Sequence, residues 1–378
     1  MNIKEISEIR RRVRRDRTNI TKLYGCYVNS QKEIVSRFTK SVGPMNETEA
    51  NEYFGKLKKV LSGGLGKNML DLAFKTAQVA DSSEHRLLMK LRDYDHCDES
   101  ALDELYRKII ESVSLDDGYL ILVGCDRYDV PFKSGDGSTD SDKSEDVFTY
   151  VLCAVCPVKL TKTMLQYNPE EKIFSGGGAV NAASAPELGF MFPSFDNRAT
   201  NIYNVLFYTR SPKNDNSTVI DTLFRLAAPM PAAQQKKSFE QLLGSSLDKE
   251  CNMEVIQAVH EQVCQSIEIH KESKVADPLL IDKDHVKGVL TECGISENAV
   301  AKFSVEYDAT FGMDAQLHPK NIINNSRFEV TTPDVSIKVN PQRSDLIETR
   351  IIGGVPYILI CADENVEVNG VPIRIEEK

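Results

Sequence analysis

No apolar run in this chain approaches the roughly 18–20 residues that a membrane-spanning helix needs, so the sequence gives no helical membrane anchor. Its first residues, MNIKEISEIRRRVRRDR, hold no apolar stretch of signal-peptide type and no small-residue cleavage site. They are therefore not a secretory signal, and the expected compartment is the cytoplasm. Histidine is scarce, with six residues (His85, His96, His260, His270, His285 and His318), and none pairs at metal-ligand spacing. There is a single CxxC, Cys153 and Cys156, with no second pair to complete a four-ligand zinc site. The nine cysteines are odd in number and widely spaced, and several sit in apolar runs (LVGCDR, VLCAVCPV, ILICAD). They read as buried small hydrophobes in a reducing compartment rather than a disulfide framework. No serine, cysteine or histidine triad assembles from spacing. Neither a metal set nor a cofactor is expected.

What is present points to a mixed architecture. The 378 residues suffice for two or three units. The expected fold class is α+β: a mainly antiparallel central sheet with flanking helices, a helical linker region and a C-terminal β unit. Residues 2–17 read as a helix with an apolar stripe of Ile3, Ile6, Ile9 and Val13. Leu23–Phe38 reads as a hairpin turning at Asn29-Ser30. Residues 46–61, 84–92 and 100–113 are amphipathic helices. The strands 118–130, 147–160, 189–195 and 201–210 follow one another with no room for crossover helices, which implies antiparallel pairing. Residues 133–146 read as a polar acidic loop. Helices return after Lys236, and five short strands with turn signals begin at Arg327. The units are then a basic helix 1–22, an α+β core 23–235, a helical region 236–325 and a β unit 326–378.

Most motifs fail when tested position by position. SGGLGKN (62–68) lacks the first glycine of a phosphate loop and has Asn68 where Ser or Thr is required, so a helix-ending glycine turn fits better. His260-Glu261 and Cys264 superficially resemble a zinc-protease helix, but the second histidine is missing. Asp136, Asp140 and Asp142 resemble a calcium loop without its glycine or its final glutamate. FSGGGAV (174–180) reads as a surface loop. Two strand-end clusters remain, Asp126 with Asp129 and the Asp196-Asn197-Arg198 turn. Their carboxylates suit metal binding or acid–base chemistry. Turn capping with Asp–Arg pairing is the alternative.

Charge is unevenly distributed. Residues 1–22 carry eight basic side chains against three acidic ones, an excess of five positive charges. The chain as a whole has net charge −10, so the remainder carries −15. Arg10, Arg11, Arg12, Arg14, Arg15 and Arg17 either engage an acidic macromolecule (RNA, the ribosome or an acidic protein) or pair with the acidic body as the isoleucine stripe packs down. An amphipathic membrane-surface helix is a third option, although the stripe has no Trp, Phe or Leu.

The strings GCYV, LSGGLGKN, YDVP, LCAVCPVKL, FMFPSFDNR, HEQV, DVSIKVNP and ETRIIGGVPYI occur in this order from residue 25 to 358. Together they resemble the bacterial domain-of-unknown-function family 4317 nearly end to end. The resemblance implies a bacterial cytoplasmic protein and brings no catalytic residues with it. Three functions follow as expectations. The first is a non-enzymatic regulatory or interaction protein using the basic helix. The second is a metal-dependent hydrolase of phosphoesters using Asp126, Asp129 and Asp196. The third is a structural or assembly protein.

Overall fold

The computed structural model describes residues 1–92, 98–133, 139–161, 165–170, 172–176, 178–273, 275, 279–313, 315–324, 327–362, 366–368 and 370–374. His96, Cys97, Asp136 and Gly177, raised above, lie outside them, as do the side chains of 132–146. The described elements are α+β, in two compact units, Met1–Pro231 and Ala232 onward.

The first unit opens with α1 (Ile3–Arg12), whose Asn2 and Glu5 form a reciprocal capping box. The helix ends five residues before the sequence pattern suggested. Val13 is the last apolar residue of the stripe, so a further turn has nothing to bury. The chain instead turns at 14–18, where the Arg17 and Thr18 amides donate to the Arg14 carbonyl. Ile3, expected in the stripe, is exposed, whereas Ile6, Ile9 and Val13 are buried. Then come β1 (Lys22–Val28), β2 (Ile34–Ser41), α2 (Glu47–Val60), β3 (Met69–Ala73), α3 (Thr76–Asp81), α4 (Ser83–Leu91) and α5 (Glu99–Ser112). The sheet continues with β4 (Tyr119–Lys133), β5 (Thr139–Leu160), β6 (Leu165–Asn168), β7 (Ile173–Gly176), β8 (Asn181–Ala183), β9 (Leu188–Phe192), β10 (Ser194–Asp196), β11 (Ala199–Asn201) and β12 (Asn204–Thr209), before α6 (Ser217–Phe224).

The main sheet runs β2-β1-β4-β5-β9-β12-β3, with β8 added to β5, and its pairings are antiparallel. One face packs on α4, α5 and α6 through Ile121, Val123, Val151, Cys153, Phe190 and Phe207. The other packs on α1 and α2 through Leu122, Tyr150, Leu152, Cys156, Met191 and Leu206. Burial on both faces is why these strands are apolar at nearly every position. Gly189 marks the closest approach of α2. A Cβ there would sit 2.7 Å from a Val60 methyl and 2.3 Å from the Cys153 carbonyl oxygen.

Two strand expectations need correction. Residues 139–146 are not a loop: β5 begins at Thr139, and Asp146 already pairs with Val130. Antiparallel pairing is made by backbone groups, so a polar sequence can form such a ribbon. The run 189–195 is not one strand. Pro193 has no amide to donate, and β10 leaves the main sheet to pair with β11 through a turn whose Asn197 and Arg198 both have positive φ (49° and 60°).

The second unit contains α7 (Ala232–Leu247), α8 (Met253–Ser273), α9 (Lys283–Glu292), α10 (Glu297–Phe311) and α11 (Pro319–Ile322) around a core that includes Phe239, Val259, Leu290, Phe303 and Tyr307. Three separate two-stranded hairpins follow, β13 (Phe328–Thr331) with β14 (Ser336–Val339), β15 (Ile347–Ile352) with β16 (Val355–Ile360), and β17 (Val366–Val368) with β18 (Val371–Ile373).

Candidate functional site

The basic segment is built into the α2 face of the sheet. Ile6, Ile9, Val13 and Ile20 share one buried cluster with Leu122, Phe148, Tyr150 and Phe195. Met1 is buried too. Its amine lies 2.7 Å from Asp71 and 3.6 Å from Asp196. Burial pulls the pKa of that amine down, but Asp71, with Asp196 and Glu5, outweighs burial and leaves it raised.

Polar contacts clamp the segment further along. Glu8 accepts from the Tyr128 hydroxyl at 2.8 Å, and both its carboxylate oxygens accept from the Arg198 Nη1 at 2.6 Å. Arg198 also donates to the Pro131 carbonyl at 2.8 Å, so the tight β10–β11 turn aims this guanidinium at α1. Arg12 lies over the Tyr128 ring, 4.0 Å from its centroid, with Nη2 3.8 Å from Asp126. Asp126 is fully buried. Its carboxylate accepts from the Asn19 amide (2.8 Å), the Arg127 amide (2.9 Å) and the Tyr150 hydroxyl (2.6 Å). Burial first, then the Asp126 charge, pushes the Tyr150 phenol well above its ordinary value. Burial and the Glu8 hydrogen bond push Tyr128 up to about 12. Both phenols therefore stay protonated and donate.

The sequence-flagged residues divide into two groups. Arg12 is drawn into the clamp, with its side chain 19% exposed. Arg10, Arg11, Arg14, Arg15 and Arg17 remain exposed. Arg14 and Arg17 share Asp16 at 3.1 and 3.8 Å, and Arg15 donates to the Gly43 carbonyl at 3.0 Å. Among the described residues Arg10 and Arg11 have no acidic partner. Of the three carboxylates, Asp126 serves the clamp, Asp129 is exposed beside Arg127 at 3.7 Å, and Asp196 lies by the Met1 amine and accepts from Asn201 at 3.2 Å. Among the described residues no group of three or more His, Cys, Asp or Glu side chains is placed to hold a metal ion. Sequence reasoning missed Glu8, Asn19 and Tyr150. The available signal for Glu8 was its spacing of four from Arg12 on one helix face.

The remaining motifs resolve simply. Cys153 and Cys156 are buried on opposite faces of β5, in different core clusters, and burial raises both thiols, Cys156 to about 12. His260 bonds through Nε2 to the Asn324 carbonyl at 3.0 Å, and its Nδ1 lies 3.7 Å from the Cys264 sulfur. Burial and then Glu268 and Glu261 raise Cys264, so it is a thiol and not an activated nucleophile. A cavity of about 320 Å³ beside His260 is lined by Phe239, Leu243, Val259 and Phe328, with Lys236 and Arg327 among its lining residues. Those two cations are already faced by Glu240 at 3.6 Å and Glu329 at 3.8 Å.

Among the described residues no helix is long and apolar enough to cross a membrane. No curated protein and no solved structure matches the chain. A family profile described as "Domain of unknown function (DUF4317)" matches residues 1–371, and the chain belongs to that family.

Proposed function

We propose that this is a non-enzymatic interaction protein that binds RNA, free or within the ribosome, through Arg10, Arg11, Arg14, Arg15 and Arg17. One observation carries the reading. The segment's apolar stripe and its Glu8, Arg12 and Asn19 contacts are used up in fastening it to the sheet, while five arginines within eight residues stay at the surface. The cations are thus presented on a fixed support. The ion pairs that compete for them are weak, because Arg14, Asp16 and Arg17 are each more than half exposed, and exposed pairs contribute only about 0–1 kcal/mol. A phosphate backbone offers bidentate acceptors at regular spacing, which suits guanidinium forks. The −15 remainder of the chain disfavours RNA elsewhere and so focuses binding on this patch.

The test is salt-titrated RNA binding by the full chain and by a variant with Arg→Gln at positions 10, 11, 14, 15 and 17. Substitution is required, because residues 1–20 contribute to the core and their removal would unfold the first unit. Binding that is absent in the unsubstituted chain, or unchanged in the variant, contradicts the proposal.

A further inference from the structure

The β15–β16 hairpin is tied down at its base and bare along its length. At the base, Gln257 of α8 donates to the Ser344 and Ile347 carbonyls at 2.8 and 3.1 Å, and Ser344 donates to Glu261 at 2.9 Å. Beyond Ile347, every β15 residue is exposed, Ile351 by 78%. Among the described residues the sheet has two strands, so each strand has an outer edge unpaired within it.

Hydrogen-bond phase distinguishes the two edges. The turn is Gly353-Gly354, with φ of 60° and 83°, the two-residue turn with positive φ at both positions. Its flanking residues, Ile352 and Val355, form the hydrogen-bonded pair that closes the hairpin. Pairs alternate from there. Ile352, Arg350 and Glu348 direct their backbone groups inward to β16, and Ile351, Thr349 and Ile347 direct theirs outward. On β16, Pro356 opposite Ile351 falls at an outward position. It has no amide to offer, so the β16 edge is blocked at that point. The β15 edge carries no proline.

That open edge is complementary to itself. A two-fold antiparallel pairing must set outward residues opposite outward residues, which allows its axis at any β15 residue; at Glu348 or Arg350 it would set that charge opposite its own copy. Centring on Thr349 sets Glu348 opposite the partner's Arg350 and Arg350 opposite the partner's Glu348, in non-hydrogen-bonded positions where side chains lie closest. It also sets Thr349 opposite its own copy, where the edge is free, and Ile351 beside the partner's Ile347, the buried end of the edge whose carbonyl already accepts from Gln257. Centring on Ile347 or Ile351 leaves both charges without a counterpart. Within one chain Glu348 and Arg350 already meet at 3.0 Å along the strand, so the pair is oriented on one face. We propose that two copies of the chain associate through β15, antiparallel about Thr349, to form a four-stranded β16-β15-β15-β16 sheet.

The experiment is sedimentation velocity on the full chain over a concentration series, with circular dichroism to confirm folding. The unsubstituted chain is expected to dimerise. Glu348→Arg alone and Arg350→Glu alone each place like charges opposite one another twice, and each is expected to weaken dimerisation by about tenfold to a hundredfold. Mixing these two single variants sets every introduced charge opposite its complement, so heterodimers should form, as should homodimers of the double variant. A chain that stays monomeric overturns the proposal. So does a dimer that neither single variant weakens, or a loss that mixing does not recover.

Discussion

Replacing Asp126 with alanine probes the clamp that positions the basic segment. The carboxylate is fully buried and accepts three hydrogen bonds, two of them from backbone amides. It is also the anion facing Arg12. Hydrogen bonds to a charged group contribute about 1.5–3 kcal/mol each. Leaving buried donors and a guanidinium uncompensated typically costs about 3–5 kcal/mol in total. Asp126→Ala is therefore expected to destabilise the first unit by about 3–5 kcal/mol. Asp126→Asn should lose less, about 1–3 kcal/mol, because the amide oxygen still accepts from Asn19 and Arg127 while its NH₂ faces Tyr150 and Arg12. Because the chain has two units, the effect must be located, and hydrogen exchange does so. The Asn19 amide should exchange about a hundredfold faster or more in the alanine variant, since each ~1.4 kcal/mol is tenfold. Amides of α8 and α10 in the second unit should not respond. A loss below about 1 kcal/mol, or unchanged exchange at Asn19, would refute the reasoning.

Other contacts give sharp expectations as well. Arg198→Ala strips Glu8 of its guanidinium and should cost about 1–3 kcal/mol, whereas Tyr128→Phe should cost about 0.5–1.5 kcal/mol, both read by urea denaturation. Burial alone would raise the Glu84 pKa, but hydrogen bonds from its own amide, Ser83 and Lys108 hold it below the ordinary 4.5. Its stabilisation is thus present above that pH and lost as pH falls through the lower folded value. Glu84→Gln should destabilise most at neutral pH and hardly at all near the acid end of a pH–urea series; a difference that persists undiminished in acid would contradict this. Cys156, pushed to about 12 and buried, should resist a thiol reagent at pH 8 in the native chain, while exposed Cys293 and Cys361 react at once. Labelling of Cys156 before unfolding would show that the β5 core is more open than described.

The antiparallel sheet was legible because strand follows strand with no crossover length between them, and because β4 and β5 are apolar on both faces. Helix α1 was legible as a stripe, but its end was not. The arginine run continues past Val13 with helix-compatible residues, and only the lack of an apolar partner for a fourth turn stops it. The C-terminal strands were visible through their turn residues, yet their separation into three hairpins depends on long-range pairing that alternation alone does not encode. The site was half legible. The arginines and Asp126 stood out as charge clusters. Which arginine is drawn inward was hidden, since that is decided by Tyr128 and Asp126, 116 and 114 residues further along the chain than Arg12.

The measurement that bears most directly on the proposed role is the salt dependence of RNA affinity for the full chain against its five-arginine variant. If the five exposed arginines each neutralise a phosphate on single-stranded RNA, log K should fall with log salt at a slope of about −3.5. The variant should bind with a slope near zero and little residual affinity. A slope near zero in the unsubstituted chain, or a steep slope that survives in the variant, would contradict the account.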